Sequence, residues 1–274
     1  MLFNKLFNKL IVITALCCGL TNTTMAGSVK NNQAREINEL KKKIVKMQSV
    51  DGEVISINER YYKHKIAISQ VQMIKKIAAY ETYMFLANSG TRRDLSEINK
   101  MVDVAWECSW IFTDLGANHM ERFKLILQWC KTETNFKAKS VSKWKKGQYI
   151  KSLNKYVKKD TEDYGPWQIN INNFTYSQDI YQLYSSGVVP FKIIRPRTYK
   201  DLFDIPTSCV VRCAIETDRK YAGLEWQHHK NIDKPYVAHI SKKMKQLERE
   251  GLYDEAVVSK YYKLTPIKTY TRQR

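Results

Sequence analysis

Apolar residues recur along this chain at the spacing of an α-helix, which restricts the folds that the chain can form. The clearest helix begins where Asn118 is followed three residues later by Glu121, the arrangement of a capping box. One face of this helix carries Phe123, Ile126, Leu127 and Cys130. The spacing predicts a helix over His119–Thr134, with Glu133 at or beside the buried face of its carboxyl end.

Further helical stretches follow the same period, whereas alternation of apolar and polar residues is too short to predict a sheet of any size. They cover approximately residues 33–50, 58–87, 95–113, 208–222 and 236–249. The segment 33–50 is typical of a coiled-coil arm or of a helix packed on its own domain. We therefore predict a mainly α protein, with a helical extension over residues 27–105, a main domain over 106–250 and a basic tail over 251–274.

The first 26 residues have the composition of an export signal. Lys5 and Lys9 precede the uncharged apolar residues 10–20, and small residues precede Gly27. The apolar segment is shorter than the roughly 20 residues that cross a bilayer. We predict a signal peptide over residues 1–26, with an uncleaved membrane anchor as the alternative, and a periplasmic or secreted mature protein.

The formal net charge of +19 predicts an anionic partner. Cleavage after Ala26 would remove Lys5 and Lys9 and leave +17. Nucleic acid and bacterial cell wall are both anionic, but export favours the wall and makes nucleic acid the weaker interpretation. The peptide stems and muramyl groups of the wall supply the carboxylates.

Four cysteines would remain after cleavage, and their environment bears on stability. An exported chain with Cys108, Cys130, Cys209 and Cys213 is expected to form up to two disulfides, with buried free thiols as the alternative. Cys209 and Cys213 have three residues between them rather than two, and the histidines fit no standard zinc spacing. We predict no metal and no cofactor.

A lysine-rich segment over residues 137–159 contains nine lysines and no acidic residue. Trp144, Tyr149 and Tyr156 lie between the lysines, an arrangement that suits stacking on sugar faces or on bases. The alternative is a solvated surface loop. We predict an inserted loop or loose helix here.

Two short segments carry the chemistry. Residues 133–136 read ETNF, with Ser142 nine residues after Glu133, and residues 163–170 read DYGPWQIN. They resemble the catalytic-Glu and Gly-Leu-Met-Gln-Ile segments of soluble lytic transglycosylases. The resemblance implies a lysozyme-like helical domain in which Glu133 is catalytic. It also implies that the sugar strand of peptidoglycan is bound by Ser142, Gly165, Trp167, Gln168 and Ile169.

The resemblance is closest to the specialised transglycosylases of type IV secretion and conjugation systems. Those proteins share the long gap between the segments, and Asp163, Asn170 and Phe174 fit their extended second motif. This implies envelope-spanning secretion machinery as a partner. A Tyr-Asn segment that usually precedes the last helix is absent, because residues 224–231 read LEWQHHKN. Trp226 or His229 would have to substitute for its Tyr.

The same segments also resemble those of animal-type lysozymes, which hydrolyse the same bond. There a second carboxylate, here Asp163, would lie ~5 Å from the acid, whereas a transglycosylase works with Glu133 largely alone. Desolvation of Glu133 in a cleft would raise its pKa, as a general acid requires. Asp163 has the alternative role of starting the turn before Gly165. A buried Gln168 would need a polar partner, which a sugar could supply.

The prediction is therefore a lytic transglycosylase that cleaves the bond between N-acetylmuramic acid and N-acetylglucosamine. A lysozyme-type muramidase is the alternative of the same class. A catalytically silent wall-binding or assembly protein is the alternative of another class, motivated by the absent Tyr-Asn segment.

Overall fold

The structure is a computed structural model that describes residues 31–49, 59–112, 118–150, 155–185, 189–221 and 233–262. The prediction of a mainly α protein is confirmed. The predicted signal peptide lies outside the described residues, and so does the segment 224–231. None of the described helices is long and apolar enough to cross a membrane.

The chain divides into two compact units, Met1–Tyr62 and Lys63–Arg274. In the first, helix α1 covers residues 31–49, where a helix was predicted over residues 33–50, and Ile37, Leu40 and Ile44 of this helix are buried. The Tyr62 hydroxyl donates to the Met47 carbonyl at 2.7 Å.

The second unit contains a group of packed helices. After α2 (Glu59–Asn88), which begins in the first unit, come α3 (Leu95–Ile111) and α4 (His119–Thr134). The later helices are α5 (Phe174–Tyr184), α6 (Ile205–Tyr221), α7 (Lys234–Arg249) and α8 (Glu255–Tyr261). Helix α3 packs against α4 and α6, and α4 also packs against α7.

The core of this unit is rich in large apolar side chains. Ile98 and Met101 of α3 are fully buried, as are Phe123 and Trp129 of α4. The predicted domain boundary between residues 105 and 106 falls inside α3. This helix packs against α4, so it belongs to the same core.

Short strands and two 3₁₀ helices complete the second unit. One antiparallel sheet has the order β1 (Val141–Trp144), β4 (Thr161–Tyr164), β5 (Ile169–Asn170). A separate hairpin pairs β2 (Tyr149–Ile150) with β3 (Lys155–Tyr156). The 3₁₀ helices are Ile171–Asn173 and Tyr199–Phe203.

Two predicted segments differ from the structure. Residues 137–159 contain strands instead of a loop or loose helix, because β1 pairs with β4 and its residues alternate between exposed and half-buried. The first part of the predicted basic tail contains α8, whose neighbourhood buries Leu252, Tyr253 and Val258. Residues 263–274 lie outside the described residues.

Candidate active site

Glu133 lies in the last turn of α4, at a helix end fixed by backbone geometry. The helix begins as predicted, with the Asn118 side chain accepting a hydrogen bond from the Glu121 backbone N–H at 2.8 Å. It ends at Asn135, which adopts left-handed backbone angles. The Glu133 side chain is 30% exposed, so it is partly shielded from solvent.

Arg212 of α6 is the charged partner of Glu133. Its Nη2 lies 3.5 Å from Glu133 Oε1, and its Nε lies 2.9 Å from Glu216 Oε1. The Arg212 and Glu216 side chains are 9% and 4% exposed, and the guanidinium lies 5.5 Å from the centre of the Trp129 ring. One buried cation therefore faces two carboxylates.

Sequence reasoning missed Arg212, although a pattern in α6 indicates it. Arg212 and Glu216 are four residues apart and lie on the buried surface of a helix whose neighbouring residues are apolar. A pair of opposite charges at this spacing among buried residues is typical of a buried ion pair.

The turn at residues 165–168 is hydrogen-bonded to the end of α4 and to α6. Thr134 Oγ1 donates to the Pro166 carbonyl at 3.0 Å, and Arg212 Nη1 donates to the Trp167 carbonyl at 3.2 Å. The two segments singled out in the sequence therefore meet in the folded chain, 32 residues apart at the Thr134–Pro166 contact.

Gly165 permits this turn to pack closely. Its φ is +82°, and a Cβ at this position would lie 2.1 Å from the Leu202 carbonyl oxygen and 2.8 Å from Ser208 Oγ. Any side chain would clash with the 3₁₀ helix that contains Leu202.

Trp167 and Ile169 are buried in the core, contrary to the prediction that they contact a sugar. They are 0% and 1% exposed, and the Trp167 indole nitrogen donates to the Ile126 carbonyl at 3.0 Å. Both side chains therefore pack on the core side of the turn at residues 165–168. The sequence shows that both side chains are apolar, but it does not show whether they face a ligand or the core.

Gln168 keeps a polar atom available. It has a positive φ of 50°, is 6% exposed, and its Nε2 donates to the Gly165 carbonyl at 2.8 Å. Its Oε1 is buried and has no hydrogen-bond partner among the described residues. A buried acceptor of this kind is expected to find a donor in a ligand or an ordered water.

Asp163 and Ser142 are paired across neighbouring strands β4 and β1. Both carboxylate oxygens of Asp163 accept hydrogen bonds, Oδ2 from Trp144 Nε1 and Oδ1 from Asn170 Nδ2, each at 2.6 Å. Through these two hydrogen bonds Asp163, on β4, links β1 to β5.

Phe174, which fits the extended second motif, packs edge-on against Tyr199, with ring centres 4.8 Å apart.

All four cysteines among the described residues are free and buried, so the structure has the buried free thiols that were predicted as the alternative to disulfides. The Cys130 sulfur lies 3.5 Å from the Met101 sulfur, and burial raises the pKa of its thiol. Cys108, Cys209 and Cys213 form a separate group whose sulfurs all lie within 4.8 Å of one another. The sequence pattern did not predict this group.

Comparison with known proteins assigns no relative to this arrangement. The chain matches no family model, no curated protein and no solved structure.

The site combines a partly exposed carboxylate, a buried guanidinium and a buried amide on a hydrogen-bonded turn. A carboxylate at the protein surface can transfer a proton to or from a bound substrate. Trp226 and His229, the predicted substitutes for the missing Tyr, lie outside the described residues.

Proposed function

We propose that the chain is a peptidoglycan lytic transglycosylase with Glu133 as its general acid and base. One observation carries the proposal: Thr134, at the helix end that bears Glu133, donates a hydrogen bond to the Pro166 carbonyl of the Gly165–Gln168 turn. The resemblance of the two segments to the transglycosylase motifs implies such a contact, because one motif supplies the acid and the other lines the sugar site.

The proposed reaction needs one carboxyl group acting twice. Glu133 gives its proton to the glycosidic oxygen as the bond from this oxygen to C1 of N-acetylmuramic acid breaks. The N-acetyl group of the same sugar supports the positive charge at C1. Glu133 then accepts the proton of the 6-hydroxyl, whose oxygen bonds to C1 and closes a 1,6-anhydro ring without consuming water.

The role of Asp163 favours this reaction over hydrolysis of the muramidase type. In a retaining hydrolase the second carboxylate must be available to the sugar. Both oxygens of Asp163 already accept hydrogen bonds from Trp144 and Asn170. We therefore assign to Asp163 a structural role, and retain the muramidase as the alternative.

Arg212 gives specific support to a second candidate, a wall-binding protein without catalysis. Its guanidinium lies 3.5 Å from Glu133 and would compete with a substrate for that carboxylate. In the enzyme proposed here, the same guanidinium holds Glu133 in place and balances its charge during the base step.

The proposed location is the periplasm or the cell exterior, reached through a signal peptide over residues 1–26. The proposed partners are peptidoglycan strands and envelope-spanning secretion machinery. The excess of lysine supports binding to the carboxylates of the wall.

A gel containing embedded peptidoglycan tests the catalytic claim. The parent is expected to clear the gel and Glu133→Gln is expected to lose clearing, because the amide cannot transfer the proton. Glu121→Gln is the matched control on the same helix, since its carboxylate is exposed at the opposite end. Equal clearing by Glu133→Gln would contradict the proposal, and no clearing by the folded parent would favour the silent binding protein.

A further inference from the structure

Three cysteine side chains from two helices converge in the core of the second unit. Cys209 and Cys213 are one helical turn apart on α6, and Cys108 projects from α3. Each residue is 0% exposed, and the three sulfur atoms all lie within 4.8 Å of one another. The helices α3 and α6 are packed together, which brings the sulfurs to a common point.

The spacing of the sulfurs is close to that of a metal–thiolate centre. A metal–sulfur bond of about 2.3 Å in trigonal or tetrahedral geometry separates the sulfurs by roughly 3.8–4.0 Å. Sulfurs that lie within 4.8 Å of one another therefore need to approach by less than about 1 Å. Side-chain rotation within the packed helices can supply a movement of this size.

We propose that Cys108, Cys209 and Cys213 bind one thiophilic metal ion, Zn²⁺ or Cu⁺, that links α3 to α6. Soft thiolate ligands select these ions, and no carboxylate or imidazole ligand joins the group among the described residues. Binding releases the thiol protons to solvent and involves no change in oxidation state. The ion would hold α6, the helix that carries Arg212, against α3.

A disulfide explains the arrangement less completely. It would join two of the sulfurs at about 2.05 Å and leave the third beside them. A single metal ion uses all three. This inference does not depend on the proposed transglycosylase activity.

Metal binding by the full chain, reduced and kept free of oxygen, tests the proposal. Titration with Co²⁺ as a spectroscopic probe is expected to give thiolate-to-metal absorption that saturates at one ion per chain, and separate additions of Zn²⁺ and Cu⁺ are expected to remove it. Cys209→Ser is expected to lose the absorption. Cys130→Ser is the matched control, because Cys130 is equally buried but lies outside the group. Every sample retains Cys17 and Cys18, so the difference between variants reports the three-sulfur group.

Thermal unfolding gives a second readout that does not depend on a variant folding well. Zn²⁺ or Cu⁺ is expected to raise the Tm of the parent and of Cys130→Ser. Either of two results would overturn the proposal: reduced parent that binds no ion, or equal loss of binding in Cys130→Ser and Cys209→Ser. A disulfide within the group in protein isolated from its producing cells, combined with no binding after reduction, would assign the cysteines to that bond instead.

Discussion

At the scale of single residues, the site depends on the guanidinium of Arg212. It contacts Glu133 at the protein surface and Glu216 in the interior, and it donates to the carbonyl of Trp167. Removing a buried charge is costly when its partners remain, because they lose the attraction that offset their desolvation. Arg212 therefore connects the stability of α6 with the position of the proposed acid.

We expect Arg212→Met to lower the free energy of unfolding by about 3 kcal/mol, the usual effect of removing one member of a buried ion pair. Urea unfolding followed by circular dichroism measures this change. Arg92→Met is the control, because Arg92 is exposed, and a change within about 0.5 kcal/mol is expected there. The double variant Arg212→Met with Glu216→Met should recover part of the loss, and an unchanged urea midpoint in Arg212→Met would contradict this account.

The sequence predicted some of these residues because their positions follow from local patterns. The position of Glu133 follows from the period of α4, whereas Gly165 was implied by the resemblance of residues 163–170 to the second transglycosylase segment. Trp167 could not be placed, because a sequence does not show which face of an apolar turn meets other helices. The spacing of Arg212 and Glu216 indicates a buried ion pair, but the contact of Arg212 with Glu133 could not be predicted, because Glu133 lies far from it in the chain.

At the scale of elements, helices were predicted more completely than strands for a physical reason. A helix of three or more turns repeats its apolar period, and α4 was predicted with the bounds that the structure has. The strands have at most four residues, and β2 and β3 pair only with each other. Their pairing depends on contacts that no local pattern reveals.

The β2–β3 hairpin presents an exposed aromatic pair. Tyr149 and Tyr156 are 47% and 67% exposed, their ring centres lie 5.0 Å apart, and they are cross-strand neighbours. Lysines surround this pair in the sequence. The hairpin therefore offers aromatic faces for sugars next to positive charge for carboxylates.

Replacing both tyrosines with Ala should weaken binding to insoluble peptidoglycan on the order of tenfold, equivalent to about 1.4 kcal/mol. Co-sedimentation at increasing salt concentration measures this change and separates the aromatic contribution from the charge contribution. Tyr61→Ala is the control, because Tyr61 is 58% exposed outside the hairpin. Unchanged binding by the double variant would show that the hairpin is a solvated surface element.

At the scale of the whole molecule, His119 connects α4 to the segment around α8. It is 3% exposed and stacks on Trp110 with ring centres 3.9 Å apart. Its Nε2 lies 2.8 Å from the Tyr253 hydroxyl, and its Nδ1 lies 2.9 Å from Glu255 Oε1. Burial, with a smaller contribution from the charge of Arg122, lowers the pKa of His119 to about 3.

This lowered pKa predicts a pH dependence of stability. Well above pH 6.5 the imidazole is neutral in both the folded and the unfolded chain, so its protonation does not change stability there. Below that pH only the unfolded chain binds the proton, and stability falls by up to about 1.4 kcal/mol per pH unit toward pH 3. For this imidazole alone, we expect the free energy of unfolding to be about 1.4 kcal/mol lower at pH 5.5 than at pH 7.5.

His119→Gln is the variant that isolates this contribution, and urea unfolding at the two pH values is the measurement. Burial also raises the pKa of Glu255, which opposes the loss at acidic pH, and the comparison with the variant separates the two groups. An equal loss of stability in parent and variant would assign the effect to other groups.

The central claim is that Glu133 cleaves glycan strands by forming an anhydro ring. Mass spectrometry of the soluble products released from purified peptidoglycan tests it most directly, for the parent, Glu133→Gln and Asp163→Asn. We predict 1,6-anhydro ends from the parent, none from Glu133→Gln, and the same ends in smaller amount from Asp163→Asn. Reducing ends from the parent, with complete loss of activity in Asp163→Asn, would contradict the account and favour a two-carboxylate muramidase.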